Sequence, residues 1–462
     1  MKIEQLYTSC LAEAAYYIES EGEIAIIDPL RECEPYLEKA KASGGKIKYI
    51  FETHFHADFV SGHVDLAAKT GAQIVYGPNA STSFKSHIAK DGEVFTLGKI
   101  TITVLHTPGH TLESSTYLLK DENGKPHCIF TGDTLFIGDV GRPDLAIKSD
   151  LTKEDLAGMM FDSLRNKIMT LPDDVIVYPA HGAGSSCGKN MSSETWSTLG
   201  EQKKTNYALK GNDKAAFVKE LTTGIMPAPQ YFAKNAALNK NGYDKIDDVV
   251  SKGNTALSLE AFDAAVKNGA LILDVRTKGE FSKAFIPGSI FIGLEGTFAM
   301  WVGALITDLK QPLVLITPEG QESEAVLRLA RVGYDNTVGY LKGGIETWKN
   351  AGRALDHVEN ITAEKLAELN PEHIVDVRKP GEYEAGHVCG AVSFPLDYIN
   401  DHLNDLHKGN KHYIHCKSGY RSVIAISILK KQGYKDLVDV LEGYGAMEKT
   451  NIKLVDVCTK GA

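Results

Sequence analysis

Four short motifs in the first half of the chain carry histidine and aspartate residues at a spacing that could bind a metal ion. In chain order they are residues 53–63 (THFHADFVSGH), 106–111 (HTPGHT), 130–134 (FTGDT) and 178–182 (YPAHG). Each motif lies where an apolar, strand-like run ends, so the side chains would be held by a rigid sheet edge. Imidazole and carboxylate groups fixed in this way are typical ligands of zinc and iron. The sequence therefore predicts a metal centre.

The order of these motifs resembles that of the metallo-β-lactamase superfamily, whose fold is an αββα sandwich with the metal at one edge of its sheets. The longer segment 130–144 (FTGDTLFIGDVGRPD) resembles the persulfide dioxygenase branch of that superfamily, which uses one iron ion. The resemblance implies one Fe(II) per chain with three ligands: His54, His110 and Asp133. It also implies three residues that lie near the metal without binding it: His56, Asp58 and His181.

Phe59 bears on the number of metal ions. Hydrolases of the superfamily carry the pattern H-x-H-x-D-H, whose last histidine helps to bind a second zinc ion, but here that position is Phe59. Two histidines and one carboxylate on one face, with open positions opposite, form the arrangement of non-haem Fe(II) oxygenases. Zinc has no redox chemistry and would only activate water. These residues favour a single iron ion and leave a zinc hydrolase as the alternative.

Three residues near the motifs have two open interpretations each. Arg142 follows a glycine-containing loop after Asp133, and it could bind the substrate or form a structural salt bridge. Cys187 and Cys10 could meet a persulfide near the metal or be inert, partly buried thiols.

A cysteine-containing loop at residues 415–422 (HCKSGYRS) follows a short apolar run and opens a predicted helix. The helix N-terminus, successive backbone N–H groups and nearby cationic side chains favour a thiolate and hold anions. The loop resembles the active loop of the rhodanese family, which implies that Cys416 is the sulfur-carrying nucleophile and Arg421 a second catalytic residue. It implies three substrate-binding residues: Lys417, Ser418 and Gly419. Cysteine phosphatases have a longer spacing between cysteine and arginine, which favours a sulfurtransferase.

The second half of the chain contains an internal repeat, in which residues 271–276 (LILDVR) match residues 373–378 (HIVDVR). In the first copy, Thr317 stands at the position of Cys416, and a glutamate stands at the position of Arg421. Threonine is a poor sulfur carrier, and a glutamate would repel an anionic substrate. We therefore expect the first copy to be catalytically silent and to serve spacing, docking or oligomerisation.

The elements that must position these residues follow from the apolar pattern. Short strands are predicted in the first domain at 24–28, 47–52, 73–76, 100–106, 115–119, 128–131 and 175–179. Helices are predicted at 151–169 and 213–222, and residues 223–247 are expected to be a docked tail followed by a linker. In each repeat, apolar strands alternate with helical stretches, which predicts a parallel sheet with helices on both faces.

The predicted fold class is therefore α/β and multidomain. A metallo-β-lactamase αββα sandwich is expected over residues 1–250, and two rhodanese-like α/β domains with parallel sheets are expected after it. The inactive, cysteine-less rhodanese-like domain would cover 255–355, and the active rhodanese domain would cover 358–462.

The composition is that of an ordinary globular protein, with 462 residues, 43% of them hydrophobic, and a formal net charge of −10. The negative charge argues against a nucleic-acid or membrane partner. No apolar run reaches the ~18 residues that a membrane span needs, and the first residues (MKIEQ) lack the pattern of a signal peptide. The seven cysteines are scattered and are expected to be reduced thiols, so we expect a cytoplasmic protein.

The combined resemblance covers nearly the whole chain and implies a persulfide dioxygenase–rhodanese fusion. Such an enzyme would use O2 to oxidise a low-molecular-weight persulfide to sulfite. Its rhodanese cysteine would then pass a sulfane sulfur to sulfite, giving thiosulfate, in sulfide detoxification. A homo-oligomer is expected. Two other hypotheses stay open: a zinc-dependent thioester hydrolase similar to glyoxalase II with an appended sulfurtransferase, and a non-enzymatic persulfide carrier or sensor.

Overall fold

The computed structural model describes residues 1–145 and 151–455, so the last residues of the predicted third domain, 456–462, lie outside the described residues. The chain divides into two compact units. The first comprises Met1–Asp248 with Leu329–Gly333, and the second comprises Val249–Arg328 and the chain from Tyr334 onward. Over the residues described, no helix is both long enough and apolar enough to cross a membrane.

The first unit is built on two mixed β-sheets, each of six strands within its described residues. In chain order the strands are β1 (Lys2–Thr8), β2 (Glu13–Ser20), β3 (Glu23–Ile27), β4 (Lys46–Glu52), β5 (Gln73–Tyr76), β6 (His87–Ile88), β7 (Val94–Leu97), β8 (Ile100–His106), β9 (Ser115–Lys120), β10 (Pro126–Gly132), β11 (Ile176–Pro179) and β12 (Ser197–Thr198). The sheet orders are β1-β2-β3-β4-β5-β6 and β12-β11-β10-β9-β8-β7.

The helices of this part of the chain are α1 (Glu34–Ser43), α2 (His63–Thr70), α3 (Lys153–Ser163), α4 (Leu199–Thr205), α5 (Lys214–Thr222), α6 (Phe232–Asn241) and α7 (Ile246–Gly253), whose last residues belong to the second unit. Helices α1 and α2 pack on the outer face of the first sheet, and α3, α4 and α5 pack on that of the second. A π-helical turn (Leu164–Ile168) follows α3, and a 3-10 turn (Tyr207–Leu209) follows α4.

Alternation along the strands divides the core of the first unit into layers, because successive side chains of a strand point to opposite faces. On β2, Tyr16 packs into the core between the two sheets, whereas Tyr17 packs with Tyr36 of α1 on the outer face. On the other side, Met160 of α3 packs against the second sheet. The result is the αββα sandwich that the sequence predicts.

The second unit contains two five-stranded sheets, and all strand pairs described in them are parallel. Their orders are β13-β17-β16-β14-β15 and β18-β23-β22-β19-β21. The strands are β13 (Ala256–Leu257), β14 (Leu271–Asp274), β15 (Ile290–Phe291), β16 (Leu313–Ile316), β17 (Thr337–Leu341), β18 (Glu359–Ile361), β19 (Ile374–Asp376), β20 (His387–Val388), β21 (Val392–Ser393), β22 (His412–His415), β23 (Leu437–Val440) and β24 (Leu454–Val455), of which β20 pairs with β24.

Helices connect the strands of both parallel sheets, as the repeat predicts. They are α8 (Leu259–Lys267), α9 (Lys278–Lys283), α10 (Phe298–Leu305), α11 (Glu322–Ala330), α12 (Gly344–Asn350), α13 (Ala363–Leu369), α14 (Pro380–Ala385), α15 (Tyr420–Lys431) and α16 (Gly443–Met447), with a 3-10 helix at Leu396–Asp401.

The segment expected to be a docked tail followed by a linker differs most from the prediction. It contains helix α6, and the expected linker lies largely within α7. Helix α7 has buried Ile246 and Val249 at a spacing of three residues, which places both on one helix face. The helix predicted at 151–169 forms as α3 followed by the π-helical turn.

Candidate metal centre and candidate sulfur-transfer loop

Three strand ends of the first unit bring the predicted metal ligands together. His54 follows β4, His110 lies in the loop after β8, and Asp133 follows β10 directly. All three side chains are buried, and their ligand atoms lie within 4.8 Å of one another. His110 Nε2 is 3.4 Å from Asp133 Oδ2, and His54 Nε2 is 3.9 Å from the same oxygen.

Neighbouring groups fix which ring nitrogen of each histidine faces Asp133. His110 Nδ1 lies 2.8 Å from the backbone carbonyl oxygen of Arg142, so Nδ1 carries the proton and donates it. The Thr53 hydroxyl donates to Asp28 Oδ2 at 2.8 Å and therefore accepts from His54 Nδ1, 2.9 Å away. In both rings Nε2 is left with its lone pair, which is the form that binds metal.

The electrostatics of this cluster fit a bound cation. In the described part of the chain, His110 Nε2 and both carboxylate oxygens of Asp133 are buried without a hydrogen-bond partner. Burial of an unpaired carboxylate is costly unless a cation or a donor compensates it. Burial, followed by the neighbouring histidines, lowers the pKa of His54 well below its ordinary value, so its imidazole is neutral. A divalent metal ion would satisfy all of these atoms.

The three residues predicted to lie near the metal form a second buried group with ligand atoms within 4.8 Å: His56, Asp58 and His181. His181 Nε2 lies 3.5 Å from Asp133 Oδ1 and 3.4 Å from Asp58 Oδ2, so it joins this group to the first. Burial alone would lower the pKa of His181, but Asp58 and Asp133, together with the Ala12 carbonyl and Asp28, outweigh it and raise the pKa. His56 Nε2 lies 3.0 Å from Asp28 Oδ1.

Phe59 lies in the core of this region. Its side chain is fully buried, and its ring centroid is 4.4 Å from that of His56. The position that would complete a second zinc site in the hydrolases is therefore filled by a hydrocarbon ring.

The side chain of Arg142 is engaged in structural contacts. Its guanidinium donates to Asp144 at 2.6 and 2.8 Å and to the carbonyl oxygens of Ser186 and Met226. This geometry favours the salt-bridge interpretation, and Arg142 reaches the metal cluster through its backbone carbonyl. Substrate binding by its side chain stays a prediction.

Cys187 lies beside the metal cluster. Its sulfur and ligand atoms of Asp133 and His181 lie within 4.8 Å of one another. Burial, and then the negative charges of Asp58 and Asp133, raise the pKa of its thiol well above the ordinary value. Cys10 is partly buried and does not belong to the ligand groups found among the described residues.

Asn239 on α6 is a supporting residue that the sequence does not reveal. Its Nδ2 donates to the carbonyl oxygens of His56 and Phe59 at 2.7 and 2.8 Å, and its Oδ1 accepts from the Ser61 backbone N–H at 2.9 Å. These bonds tie the His54 loop to a helix far away in the sequence. Asn239 stands in an Asn- and Lys-rich stretch, and neither its type nor its spacing distinguishes it there.

The cysteine loop of the second unit spans the gap between β22 and α15. Cys416 follows β22 directly and is buried, with 1% exposure. Gly419 has a left-handed backbone, with φ of 95°, and its N–H donates to Cys416 Sγ at 3.1 Å. Glycine adopts this conformation without the penalty that a side chain brings. The turn therefore directs a backbone dipole at the sulfur.

The predicted cations of this loop are both paired with carboxylates. Arg421 donates to both oxygens of Glu382, at 2.6 and 2.9 Å, and Lys417 Nζ lies 2.8 Å from Glu448 Oε2. Ser418 is exposed, and its backbone carbonyl oxygen accepts from Lys278 Nζ at 3.3 Å. The catalytic and substrate-binding roles of these residues stay predictions.

The first repeat copy keeps the loop geometry without the thiol. Thr317 follows β16 as Cys416 follows β22, and Gly320 has a left-handed φ of 82°, close to that of Gly419. The two copies also share a buried ion pair at the end of a strand, β14 in the first copy and β19 in the second. It joins Arg276 to Asp274 in one copy and Arg378 to Asp376 in the other, each at 2.6 Å.

Comparison with known proteins finds matches to two families. The profile of the metallo-beta-lactamase superfamily matches residues 9–181, and that of the rhodanese-like domain matches residues 258–351 and 360–457. A crystal structure of a metallo-beta-lactamase from Staphylococcus aureus subsp. aureus COL is 32% identical, with a TM-score of 0.66, and the match covers 74% of this chain and 99% of that one.

Two further similarities cover smaller parts of the chain. The crystal structure of ETHE1 from Myxococcus xanthus is 28% identical, with a TM-score of 0.45, over 52% of this chain and 98% of that one. The probable hydroxyacylglutathione hydrolase glo2 of Schizosaccharomyces pombe is 33% identical over 178 residues, which are 38% of this chain. The chain spans 64% of that curated relative's length. By its N-terminal domain the chain belongs to the metallo-β-lactamase superfamily, and it carries two rhodanese-like domains after that domain.

Proposed function

We propose that the chain is a non-haem iron persulfide dioxygenase coupled to a rhodanese sulfurtransferase that makes thiosulfate, in sulfide detoxification. The observation that carries the proposal is the buried set of His54, His110 and Asp133, with Phe59 in place of a further ligand. Two nitrogens and one carboxylate with open positions opposite suit Fe(II) and an oxidation by O2. A rhodanese-like cysteine loop on the same chain would use the sulfite that this oxidation produces.

In the first reaction, a persulfide RSSH, O2 and water give the thiol RSH, sulfite and two protons. Fe(II) would supply the redox chemistry and the open coordination positions that O2 and a sulfur substrate require. His54, His110 and Asp133 would hold the ion. His181 Nε2, which lies between Asp133 and Asp58, would hold a proton next to the metal-binding carboxylate during the reaction. The buried surroundings would exclude bulk water.

In the second reaction, Cys416 carries the sulfane sulfur. A persulfide RSS⁻ transfers its terminal sulfur to the Cys416 thiolate, which releases RS⁻ and leaves a cysteine persulfide. The sulfur of sulfite then attacks the terminal sulfur, a new S–S bond forms, the bond to Sγ breaks, and Sγ leaves as thiolate. The Gly419 N–H at 3.1 Å stabilises that leaving thiolate.

A zinc-dependent thioester hydrolase is the second candidate, and one observation favours it. The curated relative from S. pombe is named as a hydroxyacylglutathione hydrolase, and it is 33% identical over the matched region. His181 and Asp58 next to Asp133 would be the remaining ligands of a second metal ion. The buried ring of Phe59 at the missing ligand position weighs against this candidate.

The coupling of the two sites is tested by Cys416→Ser. This variant should consume O2 with a persulfide as the wild type does, but its product should shift from thiosulfate to sulfite. Cys389→Ser is the matched control, because Cys389 is an exposed free cysteine of the same repeat copy. An unchanged thiosulfate yield from Cys416→Ser would contradict the coupling.

A further inference from the structure

The loop that holds Cys416 must receive anions, yet its own cations are already neutralised. Arg421 is paired with Glu382 through two hydrogen bonds, and Lys417 is paired with Glu448. Sulfite and thiosulfate are dianions, so a cation beside the loop that is not held in an ion pair would increase their local concentration. The first, silent repeat copy supplies such a cation, Lys278, whose charge also acts on the buried carboxyl of Asp439 without forming an ion pair with it.

Lys278 is the first residue of α9, in the silent copy, and it reaches the cysteine loop of the active copy. Its Nζ lies 3.3 Å from the carbonyl oxygen of Ser418. A Cβ built on Gly419 would meet the same Nζ at 2.9 Å, so the ammonium group sits directly over the glycine whose N–H points at Cys416 Sγ. No ion pair of Lys278 with a carboxylate occurs among residues 1–145 and 151–455.

Other contacts between the two copies hold α15 and its preceding loop against the silent copy. The Tyr420 hydroxyl donates to the carbonyl oxygen of Gly293 at 2.8 Å. The backbone N–H of Phe291 donates to the Ser427 hydroxyl at 3.0 Å, and the Phe291 ring contacts that of Tyr420. Tyr420 and Ser427 both belong to the helix that the cysteine loop opens, so Lys278 keeps a defined position relative to Cys416.

We infer that Lys278 of the silent copy is a substrate-recruiting residue of the active copy, which binds the sulfite or thiosulfate dianion next to Cys416. The identity of the anion rests on the proposed sulfurtransferase activity, whereas the location of the site rests on the contacts of Lys278. Lys278 is partly exposed and Ser418 is exposed, so an incoming anion can replace the Ser418 carbonyl oxygen as the partner of the ammonium group. The silent copy thereby completes the anion site of the active copy.

A cation beside Gly419 favours sulfur transfer from the Cys416 persulfide to sulfite, because both reactants are anions. Sulfite carries two negative charges toward a cysteine persulfide that carries one, and the products, thiosulfate and the Cys416 thiolate, carry the same total charge. No oxidant or reductant is consumed in this step. A cation beside Gly419 offsets the repulsion between the two anions as they approach, and we expect this to appear mainly in KM.

The kinetic test uses the full chain with Lys278→Gln. Thiosulfate-dependent sulfur transfer to cyanide should show a KM for thiosulfate that is about three- to tenfold higher, with kcat changed less than about twofold. Lys278→Arg should restore most of the wild-type KM. Lys283→Gln is the matched control, because Lys283 is an exposed lysine at the other end of α9.

A second readout separates this inference from the proposed function. The alkylation rates of Cys416 with anionic iodoacetate and neutral iodoacetamide are measured by mass spectrometry of the Cys416 peptide. Lys278→Gln should lower the iodoacetate-to-iodoacetamide rate ratio about two- to threefold, and Lys283→Gln should leave it unchanged. An unchanged ratio in Lys278→Gln overturns the inference, whatever the turnover. A lowered ratio in a protein without sulfurtransferase activity would support the anion site and refute the proposed function.

Discussion

The backbone carbonyl oxygen of Arg142 lies 2.8 Å from Nδ1 of His110 and thereby turns His110 Nε2 toward Asp133. The carbonyl is held in place by two further bonds of the same residue. The Arg142 N–H donates to the carbonyl oxygen of Cys187 at 2.9 Å, and its guanidinium forms the ion pair with Asp144. A salt bridge that does not touch the metal site therefore sets the orientation of a predicted metal ligand.

Asp144→Asn should lower the affinity for Fe(II). Loss of the ion pair loosens the carbonyl that orients His110, and loss of such supporting partners typically costs about 10- to 100-fold in metal affinity. Anaerobic Fe(II) titration measures the change. Asp173→Asn is the control, because it removes an exposed ion pair with Lys203 in the same unit. Equal affinities of Asp144→Asn and the wild type would contradict the role assigned to the Arg142 carbonyl.

Asn239→Ala should destabilise the first unit. The substitution removes three buried hydrogen bonds to the His54 loop, two of them to carbonyl oxygens that would lose this donor. At about 1 kcal/mol for each bond, the free energy of unfolding should fall by about 3 kcal/mol. Urea denaturation of the metal-free protein measures it. Asn241→Ala, at the exposed end of the same helix, should change the free energy of unfolding by less than about 0.5 kcal/mol. Equal losses of stability in both variants would show that the Asn239 hydrogen bonds do not stabilise the first unit.

Phe59→His should raise the zinc content from one to two ions per chain. The new imidazole would stand beside His56, which forms a ligand group with Asp58 and His181, and would restore the pattern of the zinc hydrolases. Metal analysis after equilibration with excess zinc and gel filtration measures the stoichiometry. Phe59→Leu, which adds no ligand, should still bind one zinc ion per chain. Two zinc ions in the wild type would show that Phe59 does not prevent a second ion from binding.

The buried carboxyl of Asp439 predicts a pH dependence of stability. Burial raises its pKa to about 6 in the folded chain, although a hydrogen bond from the Ser422 hydroxyl opposes the shift. Its ordinary value is 3.8. The folded state therefore binds the proton more tightly, so the stability contributed by Asp439 is fully present below pH ~4 and is lost as the pH rises through about 6.

Asp439→Asn should remove this component, which amounts to about 3 kcal/mol for a shift of about two pH units. The free energy of unfolding of the second unit is compared at pH 4.5 and pH 7.5 (conditions of the proposed experiment) for the wild type and the variant. Asp436→Asn, an exposed neighbour, should keep the wild-type pH dependence. The same pH dependence in Asp439→Asn and the wild type would refute the assignment.

Strand ends explain why much of the metal centre could be predicted from the sequence. Strands β5 and β8 lie at the predicted residues, 73–76 and 100–106, because their apolar runs end in polar turns. Once the strands are known, the motifs that follow them must gather at one sheet edge. Strand β2 (EAAYYIES) is not among the predicted strands, because both of its faces are buried and it lacks the alternation of a half-exposed strand.

The parts that could not be predicted depend on contacts between distant residues. Asn239 lies about 180 positions after the loop it supports, and Lys278 lies 140 positions before Ser418. No local pattern encodes either contact. The same holds for Arg142, for which the sequence leaves a substrate cation and a structural salt bridge open; the side chain pairs with Asp144, and the backbone carbonyl accepts from His110.

The central claim is that the first unit oxidises persulfides with O2, and oxygen consumption by anaerobically Fe(II)-loaded protein tests it most directly. Glutathione, cysteine and coenzyme A persulfides are the substrates, and zinc-loaded protein and Asp133→Ala are the controls. Asp133→Ala should retain normal Cys416 alkylation, which shows that the second unit is intact. The account predicts rapid O2 uptake with at least one persulfide by the iron-loaded wild type, and none in either control. No uptake with any persulfide, together with thioester hydrolysis by the zinc-loaded form, would contradict it.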